Sequence, residues 1–106
     1  MLSFDDFKKV ELKTAMIIEA EDHPNADKLY VLKIQVGDEQ KQIVAGIRAH
    51  YAKEDLVGKT IVVVNNLEPV ILRGQESQGM LLCASNGESL ALLTPEKDMP
   101  SGAQIR

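Results

Sequence analysis

The chain has 106 residues, a length that suits one domain, 1–106, and leaves little room for a second. It is 44% hydrophobic but only 4% aromatic, so its core must be built from Val, Ile, Leu and Met. Its net charge of −4 argues against a uniformly basic nucleic-acid surface, although local clustering still sets the field at a site, because charges beyond about 10 Å are screened.

The single cysteine, Cys83, excludes an intrachain disulfide and sits in an apolar run, as an inert thiol in a reducing compartment does. No apolar run approaches the ~20 residues of a membrane span. The opening residues show neither a signal nor a transit pattern. The chain is therefore expected to be cytoplasmic, with no membrane association.

Ser3 is placed to cap a short helix, with Asp5 and Asp6 in its first turn and Lys8 and Lys9 in its last. Phe4, Phe7 and Val10 share one face. The ordinary arrangement is a helix plugging one end of the core; the sharper one is a helix packed on a second subunit. Leu12 to Ala20 reads as the first strand and stops at the loop Asp22-His23-Pro24-Asn25-Ala26-Asp27. His23 reads as a loop residue rather than a ligand. Leu29 to Val36 is the clearest alternating strand, with Tyr30, Leu32, Ile34 and Val36 on the apolar face and Lys33 and Gln35 opposite.

Lys41 to Ile47 is a third strand, with Gly46 marking a bulge or barrel bend. Arg48 to Val57 allows a short helix ended by Gly58. Thr60 to Val64 and Met80 to Ser85 are the fourth and fifth strands. Asn86-Gly87 is a two-residue hairpin signal leading into Leu90 to Leu93, and Pro95 and Pro100 bound an irregular tail. Three strands, a short helix, then more strands is the order of an all-β OB-fold, a five-stranded Greek-key barrel with a helix between strands three and four. Here it carries a short N-terminal helix and a C-terminal extension. An SH3-like barrel or a small sandwich is the alternative.

Between the fourth and fifth strands lies a long connection, Asn65 to Gly79, punctuated by Pro69, Gly74 and Gly79. It carries Arg73, Ser77 and Gln78, polar groups with no periodic reason to be there. A loop between two strong strands is where a small β domain places its binding chemistry. Lys28, Lys33, Lys41 and Arg48 flank strands two and three, the face an OB-fold uses. Tyr30 and Tyr51 read as core or rim residues rather than stacking platforms. Catalytic constellations are not evident. His23, His50 and Cys83 lack the close spacing of a zinc site, so neither metal nor cofactor is expected. Gly74-Gln75-Glu76-Ser77-Gln78-Gly79 is one residue off a nucleophile elbow, and nothing places a histidine beside Ser77.

His23-Pro24-Asn25-Ala26-Asp27-Lys28-Leu29-Tyr30, Ile43-Val44-Ala45-Gly46-Ile47, Asn65-Asn66-Leu67-Glu68-Pro69, and Arg73-Gly74 with Ser77-Gln78-Gly79-Met80-Leu81-Leu82 together resemble the tRNA-binding domain family. That family includes the C-terminal domain of many methionyl-tRNA synthetases, the EMAP-type domain and a free-standing bacterial tRNA-binding protein. The resemblance runs over nearly the whole chain. It implies an OB-fold, binding of tRNA by shape at the outer corner of the L, and a homodimer whose interface lies outside the barrel. It also implies work alongside the catalytic part of methionyl-tRNA synthetase.

By position in the motif, Ser77 and Met80 would touch tRNA, with Asn65, Arg73 and Gln78 near them and Lys28, Lys33 and Arg48 meeting the backbone. On that expectation Ser77→Ala weakens binding and leaves stability nearly unchanged, while Met80 considered alone reads as a core residue. The chain departs from the family at Glu68 and Val70-Ile71, where basic residues are common, which leaves Arg73 as the one cation of that loop. A peptide-binding chaperone branch of the same fold is the alternative function.

Overall fold

A computed structural model describes residues 1–106. The strand alternation is what builds it. After α1 (Phe4–Phe7), β1 (Leu12–Asp22), β2 (Tyr30–Val36), β3 (Glu39–Ala45) and β4 (Thr60–Val64) follow in chain order. The short strands β5 (Val70–Leu72), β6 (Gln75–Ser77), β7 (Met80–Leu81), β8 (Cys83–Ser85), β9 (Leu90–Leu92) and β10 (Gln104–Ile105) complete the chain. Strand β2 sends Tyr30, Leu32, Ile34 and Val36 inward and leaves Lys33 exposed. Ala15 and Ile17 of β1, Ile43 and Ala45 of β3, and Ile61 and Val63 of β4 meet them in one apolar core.

The main sheet is antiparallel in the order β3–β2–β1–β4–β7. A register shift between Ile17 and Glu19 in β1 inserts an extra residue and tightens the local twist. The sheet curls until its ends meet. There Gln78 exchanges two hydrogen bonds with Gln42 of β3. Its N–H donates to the Gln42 carbonyl at 2.8 Å, and its Oε1 accepts from the Gln42 N–H at 2.9 Å. Beside it the Val44 N–H donates to Ser77 Oγ at 2.9 Å. This closes the barrel, and the architecture is an OB-fold, as the strand order predicts. Gly79 suits the seam, because a Cβ there would crowd the Val64 carbonyl oxygen at 3.0 Å. The close approach is to the protein's own backbone rather than to a ligand.

Several elements differ from expectation, each for a local reason. The helix anticipated over Arg48 to Val57 is a 3-10 turn, Lys53–Asp55, followed by the fully buried Leu56. The connection from Asn65 to Gly79 is not a plain loop, since β5 and β6 pair into a protruding hairpin. The fifth strand divides at Leu82, where the chain leaves β4 and β8 begins to pair with β9. The loop after β8 spans four residues, because Asn86 Oδ1 accepts from the N–H groups of Glu88 and Ser89 at 3.1 and 2.8 Å and holds a longer turn. The tail returns as β10 beside β1, and Thr14 Oγ1 donates to the Pro100 carbonyl at 2.7 Å.

The helix α1 is capped as expected, with the Asp6 N–H donating to Ser3 Oγ at 3.1 Å. It does not plug the core, however. None of its residues is buried, and Phe4 and Phe7 are 72% and 38% exposed. Four residues form barely one turn, and Asn66 holds the segment that follows, donating to the Lys9 carbonyl at 2.7 Å and accepting from the Glu11 N–H at 2.8 Å.

Candidate nucleic-acid interface

The hairpin β5–β6 and the loop between β1 and β2 stand side by side at one end of the barrel. Arg73 and Gly74 form the hairpin turn, both with positive φ (53° and 93°), as a type I′ turn demands. For arginine this left-handed conformation costs roughly 1–2 kcal/mol. The turn puts the Arg73 side chain at the exposed tip, facing Asn25, Asp27 and Lys28 across a shallow cleft of about 410 Å³. Lys28 and Arg73 are thus two cations from separate loops on one cleft.

A polar stripe continues from there over β2 and β3. Lys33 Nζ donates to Gln42 Oε1 at 2.8 Å, and Gln42 Nε2 donates to the Glu76 carbonyl at 2.9 Å. Gln78 lies at the end of this stripe, half-buried in the seam. Met80 is 47% exposed, so its side chain is not core, contrary to the reading of that position taken alone.

Three of the anticipated site residues have structural employment. Ser77 is only 3% exposed; its Oγ accepts from Val44 and donates to the Gly79 carbonyl at 2.9 Å. This burial does not fit the expectation that Ser77→Ala leaves stability nearly unchanged, as a surface hydroxyl would. The same two bonds occupy the hydroxyl that the near-match to a nucleophile elbow had drawn attention to. Asn65 lies apart from the cleft: its Nδ2 donates to Glu11 Oε1 at 2.7 Å, and its Oδ1 accepts from Lys41 Nζ at 2.9 Å. That amide hydrogen bond is the main reason the Glu11 carboxyl titrates below its ordinary value of 4.5, with the nearby Lys13 and Lys41 charges adding to it. Arg48 is half-buried beneath the loop, 3.5 Å from Asp22 Oδ2 and stacked 5.9 Å from the Tyr30 ring centre.

Sequence reasoning passed over two residues. Gln42 lies opposite Lys33 in the β2–β3 register and links the barrel to the hairpin. His23 is 3% exposed and touches both the β1–β2 loop and the hairpin, for which a lone histidine beside a proline gives no signal. The tyrosines behave as core and rim residues: Tyr30 Oη donates to the Tyr51 carbonyl at 2.6 Å, and Tyr51 Oη accepts from the Leu92 N–H at 3.0 Å.

The model of the family described as putative tRNA binding domain matches residues 12–104. The chain belongs to the putative tRNA-binding domain family. Among curated relatives, the methionine–tRNA ligase of Thermococcus kodakarensis is 54% identical over 105 residues, covering 99% of this chain and 14% of that protein. The methionine–tRNA ligase of Thermotoga maritima is 53% identical over 104 residues, 98% of this chain and 16% of that protein. This tRNA-binding domain thus spans about one seventh of the length of such ligases. Among solved structures, a MetRS-related protein from Pyrococcus horikoshii superposes with a TM-score of 0.94 at 33% identity, covering 100% of this chain and 98% of that one. The chaperone CsaA from Bacillus anthracis gives 0.90 at 31% identity, covering 100% and 99%. No helix of the domain is long and apolar enough to cross a membrane.

Proposed function

We propose that residues 1–106 act as one non-catalytic module that binds folded tRNA and raises its effective concentration for an aminoacyl-tRNA synthetase. By its relatives that synthetase is the methionyl enzyme, and the module works in cis or in trans, in the cytoplasm. The observation that carries the reading is the pairing of Lys28 and Arg73 on one cleft, continued by Lys33, Gln42 and Gln78. Folded RNA is read through phosphate and 2′-OH groups, and amide and cationic side chains on a rigid barrel suit that task. Lys28, Lys33, Arg73, Gln78 and Met80 are the contact residues, while Ser77, Asn65 and Arg48 hold the surfaces that present them. With so few cations the salt dependence is shallow, log K falling by ~0.7–0.9 per phosphate met.

The module also forms a homodimer through Phe4, Phe7 and Ile105, which line an apolar groove of about 250 Å³ on the side of α1. Light scattering on a sizing column tests this, and a monomer mass at tens of micromolar refutes it. The function itself is tested by titrating mixed tRNA against an unstructured RNA of equal length at two salt concentrations. Equal affinity for both overturns shape reading.

A second reading, a peptide-binding chaperone, draws on the CsaA likeness and on β5, where Val70, Ile71 and Leu72 are 50%, 63% and 37% exposed. Binding of an unfolded polypeptide that competes with tRNA favours it.

A further inference from the structure

The strand β5 is held in an unusual way. Its three residues pair with β6, and beyond that ladder a single hydrogen bond ties them to the rest of the protein: His23 Nε2 to the Leu72 carbonyl, 2.9 Å. Strand β6 is anchored on its far side through Ser77 and Glu76. The hairpin is thus anchored along one edge, and the edge leading directly into Arg73 is hydrogen-bonded to the rest of the protein through His23 alone. Two-stranded hairpins are marginally stable by themselves, so such a tie matters.

The other ring nitrogen of His23 faces its own loop. The Asn25 N–H donates to Nδ1 at 3.0 Å, so the ring proton lies on Nε2, which donates to Leu72. The His23 N–H also donates to the Leu29 carbonyl at 3.1 Å, closing the loop that carries Lys28. One buried ring therefore fastens the loop of Lys28 to the residue preceding Arg73.

We infer that His23 is a positioning residue that sets the spacing between Lys28 and Arg73, and that it thereby determines selectivity for folded over flexible RNA. This rests on the tRNA-binding reading above. The phosphates of a folded RNA are fixed in space, so they reward cations held at one separation; a flexible strand adapts to cations wherever they stand. Removing the strut penalises the rigid ligand and spares the flexible one.

His23→Asn keeps an acceptor for the Asn25 N–H and loses the reach to Leu72. His23→Gln keeps a donor that reaches Leu72. Arg73→Asn removes the charge, with a residue tolerant of the left-handed turn. Each full-length variant is titrated with mixed tRNA and with an unstructured RNA of equal length. The expected result for His23→Asn is about tenfold weaker tRNA binding, an ordinary size for coupling between contacting groups. Its affinity for the unstructured RNA stays as in the parent, His23→Gln behaves as the parent does, and the loss disappears in the Arg73→Asn background. Equal losses on both RNAs, no loss on either, or a loss that persists without Arg73 overturns the inference. Should His23→Asn unfold, His23→Gln decides alone: folded and unselective, it overturns the inference. A parent chain that shows no preference for tRNA overturns the functional reading itself. A selective parent with an indifferent His23→Asn overturns only the role of His23.

Discussion

Ser77→Ala removes a single oxygen, and the structure fixes the consequence. The Val44 N–H is buried and has Ser77 Oγ as its acceptor; the same oxygen donates to the Gly79 carbonyl. Stranding a buried donor costs ~1–3 kcal/mol, and the second hydrogen bond adds ~0.5–1.5 kcal/mol. The sum, about 1.5–4.5 kcal/mol, falls on the seam that closes the barrel. With a urea m-value of ~1–3 kcal/mol/M for a chain of this size, the unfolding midpoint drops by roughly 0.5–4.5 M while m itself stays unchanged. Urea titration followed by far-UV circular dichroism reads the shift. A midpoint unchanged from the parent's would refute the reasoning and return Ser77 to the surface as a direct contact.

Met80→Gln leaves the fold intact, shifting stability by no more than ~0.5 kcal/mol, and weakens tRNA binding; unfolding of the variant would put Met80 back in the core. Gly102→Ala places a Cβ 2.8 Å from the backbone of Gly37 at a φ of +84°, so it undocks β10 and costs ~1–3 kcal/mol by thermal unfolding, and a parent-like melt would contradict the contact. The Glu11 carboxyl, held below 4.5 chiefly by the Asn65 amide, stabilises the N-terminal clasp fully above that value and loses the contribution as pH falls through its lowered folded pKa. A carboxyl-carbon NMR titration reads the midpoint directly; one at or above 4.5 refutes the clasp, and Glu11→Gln removes this acid-side loss.

Much of the barrel was legible because it is periodic. Leu32 to Val36 alternates apolar and polar, and a period of two admits one assignment of inward and outward faces. The cap at Ser3 was legible because acceptor and donor, Ser3 and Asp6, stand close together in the sequence. The motifs from His23 to Leu82 carried the family. The order of three strands, a short helix and further strands carried the OB-fold.

What the sequence could not decide lies where neighbours in space are distant in sequence and period is absent. Asn65 to Gly79 contains polar residues in no repeating order, so nothing local says which of them turn inward. Ser77 turns inward because the curled sheet leaves the Val44 N–H without a strand partner, and Arg73 turns outward because a two-residue turn must project its tip. His23 joins the Leu72 carbonyl across 49 positions, and Gln78 joins Gln42 across 36. Those contacts exist only after closure of the barrel has brought both ends of the sheet together. A backbone group deep in that seam must find a partner, and the side chain that serves it is chosen by the tertiary geometry rather than by any pattern along the chain.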